Sequence, residues 1–201
     1  MSSRVRGKII ILSGPSGSGK TTLHKALLES RKFKGKLLRS ISATTRAKRP
    51  GERQGRDYLF LSPHMFESRI DKGYFLEWEK VFDNYYGTPK RQVLDLLKKG
   101  KNVLLCIDVK GARRVRREFP EAVGIFIKTP SIKVLQERLR QRASESHATM
   151  ALRLKVARKE LKEAPYYSYV VTNGRLEKAR RDLERIVCRA IAPMATCHRD
   201  C

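Results

Sequence analysis

The sequence predicts an α/β fold, a parallel sheet covered on both faces by helices and interrupted once by a strand-rich insertion. Three observations predict it. An apolar run, Ile9-Ile10-Ile11-Leu12, leads into the glycine-rich stretch Gly14–Thr22, GPSGSGKTT, and a helical apolar face at Leu23, Ala26 and Leu27 follows. Apolar runs at Val103–Ile107, Val123–Lys128 and Tyr169–Val171 alternate with segments of helical periodicity, as strands buried on both faces do. Between about Leu38 and Gly87 that periodicity nearly vanishes, and short β-prone pieces are separated by Arg49-Pro50-Gly51 and Gln54-Gly55.

Taken in order, Lys8–Ser13 reads as a buried strand, Gly19 to about Ser30 as a helix and Arg31–Lys36 as a basic turn. Ser62-Pro63 supplies an N-cap and a proline at the first helical position, opening a short helix to about Lys72. Tyr74–Phe82 reads as a strand and Asn84–Thr88 as a tyrosine-rich turn. Val93, Leu96 and Leu97 mark a helix stopped by Gly100, and a basic helix to Phe119 follows the strand at Val103–Ile107. Thr129-Pro130-Ser131 caps a helix lined by Leu135 and Leu139 to about Arg142, and Ala143–Ser146 breaks the pattern. Met150, Leu154, Ala157 and Leu161 line the next helix; Leu176, Ala179, Leu183, Ile186 and Ala190 line the last.

A chain of 201 residues, 40% hydrophobic and 32% charged, is long enough for one domain with a substantial core and is not disordered. No run approaches the length of a membrane span and MSSRVRGK has no signal-peptide core, so a cytoplasmic protein without a membrane partner is expected. The net charge of +25 raises nucleic-acid binding as a competing reading. Lys and Arg are spread along the whole chain with no basic stripe interleaved with aromatics, so no specific nucleic-acid partner is expected. Cys106, in an apolar run, reads as a small buried hydrophobe. Cys197, His198 and Cys201 lie in a tail, 193–201, that is expected to be disordered; without a second ligand pair they are weak evidence for a metal.

Gly14–Thr22 carries the first chemistry. Gly14, Gly19, Lys20 and Thr21 fit G-x-x-x-x-G-K-[ST], between a strand and a helix as the motif requires. Glycines let backbone N–H groups converge on one anion, Lys20 reaches terminal phosphates, and the Thr21 hydroxyl can ligate Mg²⁺. The loop implies a nucleoside triphosphate ligand. The insertion packs Ser40, Ser42, Arg46, Arg49, Glu52 and Tyr58 into one short stretch, the arginine forks and hydroxyls that a phosphate monoester requires. Glu77 and Asp108 add carboxylates that can accept from the amino and ring N–H groups of a guanine. Composition alone suggests a second, phosphorylated substrate without naming it.

The blocks STTR-like Ala43-Thr44-Thr45-Arg46 with Arg49-Pro50-Gly51-Glu52, then Asp57-Tyr58, FLEW at Phe75–Trp78, NYYGT at Asn84–Thr88 and IDV at Ile107–Val109, in this order after the P-loop, resemble guanylate kinase from about Lys8 to Ala192. The resemblance implies a P-loop nucleotide kinase fold with a mostly β GMP-binding insertion (38–88) and a small helical lid (137–154) on a core of 1–37, 89–136 and 155–192. It implies transfer of the γ-phosphoryl of ATP to GMP, and to dGMP, with Mg²⁺. Gly14, Pro15, Ser16, Gly17, Ser18, Gly19, Lys20, Thr21 and Thr22 would hold ATP, with Asn173 beside the adenine. Ser42, Arg46, Arg49, Tyr58 and Tyr86 would hold the GMP phosphate; Glu77, Thr88 and Asp108 would read the guanine. Lys20, Arg46 and the lid arginines Arg138, Arg142 and Arg153 would be catalytic, and Thr21 the metal ligand. The chain departs from the family pattern at Cys106, where a carboxylate is usual, at Lys110, where Gln is usual, and after Arg142, where a glycine is usual. A catalytically dead scaffold binding phosphopeptides would share the insertion but carry a degraded P-loop, which the complete GPSGSGKT argues against.

Overall fold

The computed structural model describes residues 7–81, 83–141 and 147–192. Five parallel strands form the main sheet: β1 (Ile9–Ser13), β2 (Leu37–Arg39), β7 (Asn102–Cys106), β8 (Val123–Lys128) and β9 (Tyr169–Thr172), in the order β2-β7-β1-β8-β9. β1 lies at the centre, fully buried, because all its residues through Leu12 are apolar. Successive side chains of a strand point to opposite faces. Ile9 and Ile11 accordingly join a core cluster with Val93, Leu97, Val109 and Val115, from α3 (Lys90–Lys98) and α4 (Val109–Glu118). Ile10 and Leu12 join Leu23, Leu27, Ala179 and Leu183, from α1 (Lys20–Glu29) and α7 (Leu176–Ile191), on the other face.

A second, four-stranded sheet has the order β4-β3-β6-β5, from β3 (Ala43–Thr44), β4 (Leu59–Phe60), β5 (Phe75–Val81) and β6 (Asn84–Pro89). Its strands close over α2 (Pro63–Asp71), whose Phe66 stacks on Phe75 at 4.4 Å and on Tyr85 at 5.2 Å. Ser62 caps α2, accepting from Met65 N at 3.2 Å, as its sequence suggests. Two expectations shift. Asn84–Thr88 is no turn but most of strand β6, antiparallel to β5, because the adjacent tyrosines and Thr88 favour strand and the reversal falls between Val81 and Asn84. Leu38 and Arg39 pair with Val103 and Leu104 of β7, so the chain leaves the main sheet after Arg39 rather than at Leu38.

α5 (Ile132–Arg140) is capped by Ser131 and packs Leu135 and Leu139 against Ala157 of α6 (His147–Leu161). The break at Ala143–Ser146 and the tail with Cys197, His198 and Cys201 lie outside the described residues.

The turn after β1 is held tightly. Gly14 has φ of 135°, and a Cβ there would collide with the main-chain carbonyl of Ile127 in β8. Gly14→Ala therefore adds backbone strain to a clash that no side-chain rotation relieves. We expect a loss of roughly 2–4 kcal/mol, read as a fall of about 5–15 °C in melting temperature. An unchanged melt would show that the loop can back away from β8.

Candidate active site

The loop between β1 and α1 is built by glycines that no other residue could replace without strain. Gly17 and Gly19 have φ of 84° and 90°. Gly17 rests on α5, where a Cβ would lie 3.1 Å from Leu139 and 3.2 Å from Leu135, and a Cβ on Gly19 would strike the Asn173 amide. Asn173, buried at the end of β9, donates from Nδ2 to Ser18 O at 2.9 Å and from its own N–H to Lys128 O at 2.7 Å. It thus ties the loop to the far edge of the sheet. Gly19 gives α1 no side-chain cap, so the first-turn N–H groups face the loop. Lys20 Nζ curls back onto the loop, donating to Gly14 O and, at 2.9 Å, to Pro15 O.

Successive residues of that first turn open onto different cavities. Thr22, with Gly17, Gly19, Arg138, Gln141 and Asn173, lines one of about 440 Å³. Thr21 lines another of about 240 Å³, whose walls include Ser42, Arg46, Arg49, Tyr58, Tyr86 and Cys106. In this second cleft the Arg46 guanidinium lies 5.6 Å from the Tyr58 ring centroid, and Tyr58 meets Tyr86 edge-on at 6.3 Å. Arg46 Nη2 donates to both Glu52 oxygens, at 2.8 and 3.0 Å, and Glu52 also accepts from Arg49 N at 2.8 Å. A carboxylate thus holds the arginine in a posture suited to another anion.

Glu77 of β5 is 6% exposed and takes a 2.5 Å hydrogen bond from the Thr88 hydroxyl of β6. Gly111 of α4 makes room for it: a Cβ there would run into Glu77 Oε2 and come within 3.5 Å of Asp108 Oδ1. Asp108 is held in turn as the N-cap of α4, accepting from Gly111 N at 2.7 Å. Glu77, Thr88 and Asp108 therefore converge on one point. Asp108 also lines a cleft of about 480 Å³ with Val81, Val109, Leu152, Val156 and Glu160, which supplies apolar walls beside the carboxylates.

A guanylate kinase family profile matches residues 6–190. The guanylate kinase of Carboxydothermus hydrogenoformans is 44% identical over 182 residues, 90% of this chain and 88% of that protein. That of Caldanaerobacter subterraneus subsp. tengcongensis is 45% identical over 187 residues, 93% and 89% of the two chains. The chain belongs to the guanylate kinase family. In three dimensions it is similar to the crystal structure of guanylate kinase from Anaplasma phagocytophilum, with a TM-score of 0.75 and 32% identity over 95% of this chain and 89% of that one.

Against this frame of family and geometry, most of the expected residues gather in the three clefts. Arg138 lines the first, its guanidinium 3.5 Å from Gly174 O. Arg153 lies half-buried on α6, and Arg142 lies outside the described residues. Cys106 is not the buried hydrophobe its apolar run suggests. It ends β7, half-buried, on the wall of the second cleft, where burial pushes its thiol above the usual range. Lys110 is exposed, 3.6 Å from Glu79, and Tyr85 is a packing residue on Phe66.

Sequence reasoning missed His24, Lys25, Arg39 and Asp57 in the second cleft, and it did not place Glu52 there. Glu52 and Asp57 sat in motifs without being assigned to the site; His24, Lys25 and Arg39 carry no motif and are brought in by the packing of α1 beside β2. It also missed Glu160 of α6, whose carboxyl burial pushes up to about 7 against the pull of Lys20. Burial likewise pushes Glu77 up to about 7, with Asp108 and Glu79 adding to the effect. Two guanine donors require the ionised carboxylate, the form that prevails above that value. GMP affinity should therefore fall by about tenfold per pH unit below pH 7 in calorimetric titrations. The phosphate of GMP also titrates in this range, so Glu77→Gln is the comparison: its profile should be flatter by that tenfold slope. Parallel profiles would show that Glu77 does not meet the base.

Proposed function

We propose that the chain transfers the γ-phosphoryl group of ATP to GMP, giving ADP and GDP, and accepts dGMP by the same contacts. The observation that supports this most is the placing of Thr21 and Thr22, consecutive residues of one helical turn, on two separate cavities. One loop can then hold a donor triphosphate on one side while its edge faces an acceptor phosphate on the other. In this reading the Gly14–Thr22 backbone and the start of α1 cradle the triphosphate, and Ser42, Arg46, Arg49, Tyr58 and Tyr86 take the acceptor phosphate. Glu77, Thr88 and Asp108 accept from and orient the guanine. None of these assigned contacts involves the 2′-hydroxyl of the sugar, hence dGMP.

No covalent enzyme intermediate is needed. An oxygen of the GMP phosphate attacks the γ-phosphorus in line as the bond to the β-phosphate oxygen breaks. Lys20 swings from the Gly14 and Pro15 carbonyls onto the transferring group, and Arg46, Arg138, Arg142 and Arg153 spread positive charge around it. Residues 38–88, less the Leu38–Arg39 end of β2, act as the acceptor-binding insertion and 137–154 as the lid, whose closure excludes water. Among the described residues no cluster of three or more His, Cys, Asp or Glu could hold a metal. The exposed Thr21 hydroxyl on the cleft wall fits a Mg²⁺ held chiefly by nucleotide phosphates. When bound, the ion neutralises phosphate oxygens during transfer. Among the described residues no helix is long and apolar enough to cross a membrane; a cytoplasmic setting, where ATP and GMP meet, belongs to the same proposal.

The test is a panel of GMP, dGMP, AMP, UMP and CMP with ATP and Mg²⁺, expected to show turnover confined to the guanine nucleotides. Equal turnover of AMP would overturn the acceptor assignment. Lys20→Met should keep the melt of the parent and lose roughly 10³-fold in kcat; activity within about tenfold of the parent would contradict the role of the loop lysine.

A further inference from the structure

The second cleft holds a cation that its expected ligands do not include. Arg39 ends β2 and points its half-buried side chain into the wall shared with Ser42, Arg46, Arg49 and Tyr58. Of the other charges there, Lys25 and Arg49 are exposed, and the remaining three already have partners. Arg46 is held by Glu52, and Asp57 accepts from Arg56 Nε and Arg53 N, each at 2.8 Å. The Arg39 side chain makes neither a hydrogen bond nor an ion pair with any of the described residues. A half-buried guanidinium forgoes part of its hydration, and that is offset only when an anion meets it.

We propose that Arg39 is a further phosphate-binding residue of the acceptor cleft, meeting the monophosphate from the β2 wall while Arg46 and Tyr58 meet it from the insertion. The proposal rests on the reading of this cleft as the acceptor phosphate site and adds a ligand from the main sheet to those from the insertion. Its surroundings suit the role. His24 of α1 also lines the cleft, and burial, then Arg39 and Lys25, hold its ring down to about 4, so it is neutral at working pH. It neither neutralises Arg39 nor competes with it for the anion. Cys106, on the β7 side, is a protonated thiol for the same reason of burial. The carboxylates that face Arg39 are Asp57, which lies within electrostatic reach of it, and Glu52, and both are engaged elsewhere. An entering dianion is thus the group left to satisfy this arginine.

Steady-state kinetics and calorimetry of Arg39→Met test it. Loss of a charge-assisted hydrogen bond should raise the KM and Kd for GMP by about tenfold to a hundredfold. The KM for ATP and the binding of guanosine, which has no phosphate, should stay within about twofold. Lys36→Met removes one charge from the exposed turn before β2 and should leave every constant within about twofold. A GMP constant unchanged in Arg39→Met, an equal loss for guanosine, or an equal effect of Lys36→Met would each overturn the proposal. Should Arg39→Met fail to fold, Arg39→Lys keeps the charge without the fork and should raise the GMP constant by about threefold to tenfold; an unchanged constant overturns the proposal equally. Arg46→Met separates the two readings: if it too leaves GMP binding unchanged, the assignment of the cleft itself fails.

Discussion

The close approach of Gly14 to the Ile127 carbonyl is the constraint on which the site depends. It seats the loop directly against β8, one strand from the centre of the sheet, and only a residue without a Cβ allows it. The loop is then clamped from its other side by Asn173, at the end of β9, through Ser18 O. Neighbouring strands of the parallel sheet thus carry the loop between them, and Leu135 and Leu139 of α5 form its floor under Gly17. A loop fixed in this way presents its N–H groups without reorganising, which is how a preorganised anion site gains its strength. The position of α1 follows, and with it the division of Thr21 and Thr22 between two cavities.

Electrostatics complete what the backbone positions. The chain carries +25, yet its site is not simply a pool of positive charge. Glu52 holds Arg46, and Glu79 holds Arg114 at 2.8 Å, which ties the second sheet to α4. Glu77, pushed up to about 7 by burial, is the converse case, a carboxyl with a hydroxyl donor, the pull of Arg114 at a distance, and no ion pair among the described residues. Its folded form holds a proton through the window from its ordinary value of 4.5 to about 7. Stability contributed by that proton is lost as pH rises through this window, so ionised Glu77 costs the free protein stability. A ligand that donates two hydrogen bonds to the carboxylate offsets that cost.

The main sheet was legible in the sequence because each of its long strands is a continuous apolar run and each covering helix shows its own periodic face. β6 was not: Asn84-Tyr85-Tyr86-Gly87-Thr88 has the composition of a turn, and only pairing with β5 makes it a strand. β2, three residues long, took its place from β7, which no local signal announces. The residues carried by motifs, Ser42, Arg46, Arg49, Tyr58 and Tyr86, line one cleft. Arg39, His24 and Glu160 were invisible because their relevance comes from the packing of α1, β2 and α6 around the loop, a long-range fact. Cys106 was misread for the same reason: an apolar run hides which of its ends opens onto a cavity.

If one loop serves two nucleotides at once, a single molecule spanning both cavities should exploit it. Adenosine and guanosine joined 5′ to 5′ through five phosphates would span both cavities, with the chain of phosphates across Thr21. Calorimetry on the full chain with Mg²⁺ should find this compound bound at least about a hundredfold more tightly than ATP alone, since its second half binds at high effective concentration. Affinity no better than that of ATP would contradict the account, because the two cavities would then not be joined through the loop.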